Sequence, residues 1–279
     1  MRLRLYHHHD GARVAYREAG TGPALALLHS ALLSHREWEP LVEELCHRFR
    51  LVLPDLPLHG HSEDRPEHPY TPQWLAEVLA GFLLETCGPR PLVAGHDLGA
   101  QLLIRAVIEE RVRPARMVLM PNCLHGRSPR YGIDRAVGAA LRLGSVPGFD
   151  WALSHAMRAG LHPALGVKLS HTGNPAAADL IRHAVADFGG NTARARAWAA
   201  AAAAWPPQPD RSLLDAYAGI GIPVLLLWAD HDGAHPESLA EEALDLLPDA
   251  DLRVLPDTGF LMAYDDPIGV AREISSFCG

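Results

Sequence analysis

An apolar run, Leu92-Val93-Ala94, ends in Gly95-His96-Asp97-Leu98-Gly99, and a helical pattern starts near Asp97. Glycines on both sides of a three-residue bend let a chain pass from strand to helix in a turn too tight for larger side chains at its ends. The middle residue is thereby pushed out at the end of a sheet, with a helix N-terminus beneath it. Such a turn needs a buried strand before it, a helix after it, and neighbours that cover both.

The rest of the sequence supplies those neighbours. Arg2 to Tyr6 and Ala12 to Glu18 read as short strands around the turn at Asp10-Gly11. Ala24 to Leu28, Leu51 to Leu53, Ala115 to Met120, Pro223 to Trp228 and Leu252 to Leu255 are apolar runs of the kind that form buried parallel strands. Helical patterns lie between them at Glu37 to Phe49, Thr71 to Cys87, Pro236 to Leu247 and Asp266 to Phe277. This β–α alternation predicts a doubly wound α/β fold, a mostly parallel eight-stranded sheet with helices on both faces. From Cys123 to about Tyr217 the rhythm breaks into helices and loops, including an alanine-rich helix over Asn191 to Ala204 stopped by Pro206-Pro207. The expected organisation is a core of residues 1–122 and 218–279 with a helical lid inserted at 123–217.

Length and composition narrow the function. With 279 residues, 48% hydrophobic and 21% charged, the chain can bury a full core. A formal net charge of -8 argues against nucleic acid as a partner, because phosphates need a basic face. No stretch has the roughly 18 apolar residues of a membrane span. Met1 to Asp10 lacks a signal-peptide core, and Cys46, Cys87, Cys123 and Cys278 show no metal or disulfide spacing. The expectation is a cytoplasmic protein with free thiols and a small-molecule partner. His7-His8-His9 suggests a metal site on paper. Consecutive strand residues point to alternate faces, so no metal and no other cofactor is expected.

The Gly95–Gly99 segment resembles the nucleophile elbow of α/β-hydrolases, in the version where aspartate replaces serine, as in epoxide hydrolases and haloalkane dehalogenases. Four further stretches fit that resemblance in chain order. Leu28-His29-Ser30-Ala31 resembles the oxyanion-hole loop, and Asp55-Leu56-Pro57-Leu58-His59-Gly60-His61-Ser62 the loop after the fourth strand. Trp228-Ala229-Asp230-His231-Asp232 resembles the acid loop, with Asp232 as the acid. Leu255-Pro256-Asp257-Thr258-Gly259-Phe260 resembles the loop that carries the catalytic histidine, with Phe260 in its place. The resemblance implies an α/β-hydrolase fold, catalytic Asp97 and Asp232, and an oxyanion hole from the backbone amides of Leu98 and Ala31.

The departures shape the expected chemistry. Phe260 cannot take a proton, and loss of a general base costs on the order of 10²–10⁴ in rate. Leu98 lacks the indole donor that a dehalogenase would offer to halide. Ser30 and Leu32 stand where the epoxide hydrolase pattern has glycine and proline. Without histidine, Asp232 would stand near Asp97 as a second, unpaired carboxyl, an arrangement that suits acid–base work. The favoured reading is an enzyme of natural-product biosynthesis acting non-hydrolytically on an apolar small molecule, by proton transfer, cyclisation, carbon–carbon bond formation or epoxide opening. Some family members in such pathways act non-hydrolytically. The alternatives are an epoxide hydrolase-like enzyme with a relocated base, for which His125, His231 and His96 are candidates, and an inactive binding protein. Phe260, His29, His125, Tyr131, Trp151 and Tyr217 are the candidate pocket residues.

Overall fold

Eight strands form a single sheet in the order β1-β2-β4-β3-β5-β6-β7-β8. They are β1 (Arg2–His7), β2 (Arg13–Ala19), β3 (Ala24–Leu28), β4 (Arg50–Pro54), β5 (Leu92–Gly95), β6 (Arg116–Leu119), β7 (Val224–Ala229) and β8 (Ala250–Leu255). β2 pairs antiparallel with β1 and β4, and every other pairing is parallel. The computed structural model describes residues 1–123, 131–143, 146, 148–160, 163–188, 191–205 and 211–279.

Strand periodicity splits the core into two layers. Ala26, Leu28, Val93, Met117, Leu119, Leu226 and Trp228 face α2 (Pro72–Cys87) and α3 (Leu98–Ile108). Their chain neighbours Leu25, Leu27, Ala94, Val118, Leu225 and Leu227 face the opposite layer, with Trp38 and α11 (Pro267–Cys278). Apolar residues at successive positions are what a sheet covered on both sides requires. The expected α/β-hydrolase architecture is therefore present.

Most helix ends follow their caps. Thr71 accepts a hydrogen bond from Trp74 N and Pro72 opens α2; Asp266 accepts from Gly269 N and Pro267 opens α11. One expected helix differs. Glu37 to Phe49 is a 3₁₀ segment over His35–Leu41 followed by a short α1 (Val42–Leu45). Pro40 lies inside it, has no N–H to donate and crowds the preceding turn, so a continuous α-helix cannot form there.

Between β6 and β7 the structure has only helices among its described residues. These are α4 (Tyr131–Arg142), α5 (Phe149–Gly160), α6 (Ala164–Leu169), α7 (Ala176–Phe188), α8 (Thr192–Ala204) and a 3₁₀ segment over Arg211–Gly219. The alanine-rich α8 is capped by Asn191, whose side chain accepts from Arg194 N. Its small Ala197 and Ala201 pack into the layer that covers α2 and α3. The last helices are α9 (Glu237–Leu246) and α10 (Met262–Asp265), which precedes α11.

The turn after β5 is fixed by close approach. A Cβ on Gly99 would meet the Leu28 carbonyl oxygen at 2.5 Å, and one on Gly95 would meet Ala100 N at 2.8 Å. Gly99→Ala should therefore lower stability by about 1–3 kcal/mol, as overpacking does, read as a reduced urea midpoint. An unchanged midpoint would show that β3 and α3 can separate at no cost.

Candidate active site

Asp97 sits between β5 and α3 with φ 45° and ψ −110°, a left-handed conformation that non-glycine residues avoid. Neighbouring strands hold it there. Asp97 N donates to the Pro121 carbonyl at 3.0 Å, beyond β6, and His96 N donates to the Leu28 carbonyl at 3.0 Å, at the end of β3. The Asp97 carbonyl accepts from Gln101 N at 2.9 Å, which starts the helix. The carboxylate meets the amide of the loop after β3: Ala31 N donates to Asp97 Oδ2 at 3.0 Å. Gln101 Nε2 reaches Oδ1 at 3.4 Å. Asp97 and the Ala31 amide are thus brought together, and Leu98 opens α3 beside them.

His96 points to the other side of the turn. Its Nδ1 lies 2.6 Å from Glu37 Oε1, and Ser30 Oγ donates to the same oxygen at 2.8 Å. Ser30 N donates to Glu37 Oε2 at 2.6 Å. Burial works to raise the Glu37 carboxyl, but the charge and hydrogen bond of His96 with the Ser30 bonds hold it below its ordinary value. His96 Nε2 is buried without a hydrogen-bond partner. This buried acid ties the elbow to the Ser30 loop, and the sequence motifs alone did not single it out.

The largest departure from expectation is at Asp232, which is not left unpaired. His235 Nδ1 lies 2.8 Å from Asp232 Oδ2, and Ala234 N donates to Oδ1 at 2.8 Å. Burial would raise the Asp232 carboxyl, but these bonds outweigh it and hold it below the usual carboxylate range. For His235, burial opposes the charged ring. The hydrogen bonds to Asp232 and Cys123, with the charges of Asp232 and Asp97, push it up to about 10. The Phe260 ring stands between two imidazoles, its centroid 4.7 Å from that of His96 and 5.8 Å from that of His235. A histidine three residues after the acid, just before Pro236, was the available sequence signal for His235.

The other candidates divide. His29 is fully buried and structural: its Nδ1 bonds the Ser30 carbonyl at 2.8 Å and its Nε2 accepts from Leu56 N at 2.8 Å. Burial lowers its pKa, so it serves as a neutral loop bracket rather than a proton carrier. Trp151 is 61% exposed and lies against the tilted ring of His155, which removes it from the pocket candidates. Its position on α5 turns the ring to solvent. Tyr217 is 1% exposed and packs in the core layer around α2 and α3, where burial raises its hydroxyl pKa. Tyr131 begins α4. His125 lies outside the described residues. His231, proposed as a substitute base, pairs with Asp230 at 2.7 Å on the surface and stacks on His171 at 3.8 Å.

The strand argument against the histidine run also needs correction. β1 ends at His7, so strand alternation does not separate His8 from His9. Ligand atoms of His8, His9 and Glu77 lie within 4.8 Å of one another.

With this geometry in place, comparison with known proteins decides the family. The profile described as "Alpha/beta hydrolase family" matches residues 25–273. The chain belongs to the alpha/beta hydrolase family. An uncharacterized protein of Mycobacterium tuberculosis is 25% identical over 273 residues, covering 92% of this chain and 75% of its own length. A pimeloyl-[acyl-carrier protein] methyl ester esterase of Aeromonas hydrophila is 32% identical over 122 residues, covering 43% of this chain and 46% of that one. Among solved structures, a thermophilic esterase from Thermogutta terrifontis superposes with TM-score 0.77 at 23% identity, covering 100% of this chain and 98% of that one. An epoxide hydrolase superposes with TM-score 0.75 at 17% identity, covering 99% and 98%. These superpositions bear on the α/β-hydrolase fold. Among the described residues no helix is long and apolar enough to cross a membrane.

The loop after β8, which carries Phe260, is fastened by Asp265. Its carboxylate accepts from Gly259 N at 2.8 Å, His171 N at 2.9 Å, Thr172 N at 3.0 Å and the Ser170 and Thr172 hydroxyls at 2.5 and 2.7 Å. Burial opposes the charge, but these donors hold the carboxyl below its ordinary value. A depressed carboxyl stabilises the fold above its unfolded pKa and loses that contribution as pH falls through the folded one. Asp265→Asn should therefore lower the melting temperature at pH 7, with the gap to the parent persisting down to about pH 4 and closing below. A gap that is constant across that range would show that charge at Asp265 contributes nothing.

Proposed function

We propose that this α/β-hydrolase-fold chain is an enzyme acting on an apolar small molecule, with Asp97 as its working carboxylate and chemistry that is not ordinary hydrolysis. The observation that carries this reading is the strained Asp97, with its carboxylate on the Ala31 amide. Strain of that kind costs about 1–3 kcal/mol and persists where the structure over-determines it. Phe260 fills the position from which the family's histidine would activate water. Proton abstraction, ring closure, carbon–carbon bond formation or epoxide opening by a group other than water all use a carboxylate and an oxyanion site. The Leu98 and Ala31 amides are the proposed donors for that oxyanion. Natural-product biosynthesis is the setting we propose. The helices between β6 and β7 would then form the lid over the substrate.

A second reading is epoxide hydrolase-like hydrolysis with a base that has moved. The Asp232–His235 pair favours it, since it supplies an oriented imidazole.

Product mass separates the readings. The protein is incubated with aryl epoxides, epoxy alcohols and epoxy ketones that carry an internal nucleophile, and products are identified by mass spectrometry. Under the first reading the products are isomers of their substrates. Hydrolysis adds the mass of one water. In either case Asp97→Asn should reduce turnover by at least about 10³-fold while leaving the melting curve near that of the parent. Full activity in that variant would refute the site assignment. Probe affinity without turnover would move the chain to a binding protein.

A further inference from the structure

We infer that His235 is the proton carrier of this site, taking from β7's loop the role that Phe260 has given up on β8's loop. The inference rests on the reading of Asp97 as the working carboxylate. Its geometry is independent of it. Asp232, which the family pattern makes the partner of a histidine at position 260, instead holds His235 through Nδ1 at 2.8 Å. That leaves Nε2 as the ring nitrogen not bonded to Asp232. The Phe260 ring links the two loops: its centroid lies 5.8 Å from that of His235 and 4.7 Å from that of His96, the residue before Asp97. His235 and Phe260 lie nearly parallel at 26°, so the relocated imidazole sits against the residue it replaces.

Among the described residues, the other candidate histidines are committed elsewhere. His96 is tied to Glu37, His29 to two backbone groups, and His231 to Asp230 on the surface. His235 does not need its side chain to keep its backbone in place, because Trp228 Nε1 donates to its carbonyl at 2.9 Å.

The Asp232 carboxylate bonds His235 directly and the Phe260 ring lies against it, with His96 beyond that ring; the Asp97 charge and the Cys123 thiol favour the same protonated form. The Asp232 carboxylate at 2.8 Å favours the charged ring and outweighs burial, which opposes it, so the ring is held as an imidazolium at neutral pH. It therefore acts first as a donor. The substrate class that matches a carboxylate and an imidazolium in one site is a neutral molecule whose oxygen gains negative charge as a neighbouring carbon is attacked, such as an epoxide. With such a substrate, Asp97 forms a carbon–oxygen bond as the epoxide carbon–oxygen bond breaks, and the electron pair goes to the epoxide oxygen. His235 supplies the proton that neutralises it. The neutral imidazole left behind can then take a proton from water or from an internal hydroxyl that displaces Asp97, which regenerates both groups.

Two measurements test this. The first needs no substrate: side-chain ¹⁵N NMR of the histidines across pH, with His235 assigned by its absence in His235→Gln. The expected ring is doubly protonated at pH 7 and loses its proton near 10, and Asp232→Asn should bring that titration down toward the ordinary histidine range of about 6.5. A neutral His235 at pH 7 would overturn the inference. The second uses styrene oxide and trans-stilbene oxide, scored for Asp97-dependent product and for Asp97 ester by intact mass. His235→Gln should slow both by about 10²–10⁴-fold, and adding Phe260→His in that background should restore part of the rate by returning a histidine to Asp232. If Asp97→Asn abolishes product but His235→Gln does not, the inference fails and the Asp97 reading stands. The same holds if His96→Gln rather than His235→Gln removes it. If no product or ester depends on Asp97, both fall together.

Discussion

The site depends on forcing one aspartate into a backbone conformation it would not choose. Asp97 is held at positive φ because its amide is bonded beyond β6 and the preceding amide to the end of β3. Gly95 and Gly99 let β5, α3 and the Leu28 carbonyl come within distances that no side chain would allow. Three strands and one helix therefore converge on a single residue. Releasing any of them would relax the turn and withdraw the carboxylate from the Ala31 amide.

Around this turn the protein places two acid–histidine pairs on either side of one aromatic ring. Glu37 and His96 lie within the fold and brace the loop after β3; Asp232 and His235 lie in the loop after β7. Both acids are buried, and a buried carboxylate persists only with donors of good geometry. Phe260 fills the space between the imidazoles. Its apolar ring fits there because neither pair needs it as a partner. Asp232 thus has a histidine partner in its own loop, His235.

The segment that follows α6 is joined to the same loop. Asp265, at the end of α10, gathers donors from Ser170, His171 and Thr172 on one side and from Gly259 on the other. A carboxylate with several donors is a strong local fastening. It fixes the backbone beside Phe260 relative to α6 and α7, so the helices between β6 and β7 and the site are mechanically linked.

The sequence by itself determined the sheet, its covered faces and the turn at Asp97. Those follow from local signals: apolar runs of strand length, glycines at a fixed spacing, and caps such as Thr71 and Asn191. The local pattern misled where a single residue overrode it, as Pro40 did in the segment from Glu37. Only the tertiary structure decided what Asp232 does. Its partner lies three residues away in a loop without helical periodicity, so spacing could not say which way the two side chains point. Glu37 and His96 are 59 residues apart and meet only because β3 and β5 are neighbours in the sheet. Trp151 and Tyr217 are residue types that can line a pocket, pack a core or face solvent, and only the docking of their helices assigns one to solvent and the other to the core. Side-chain direction in loops is set by what packs against them, and that information is distributed over the whole chain.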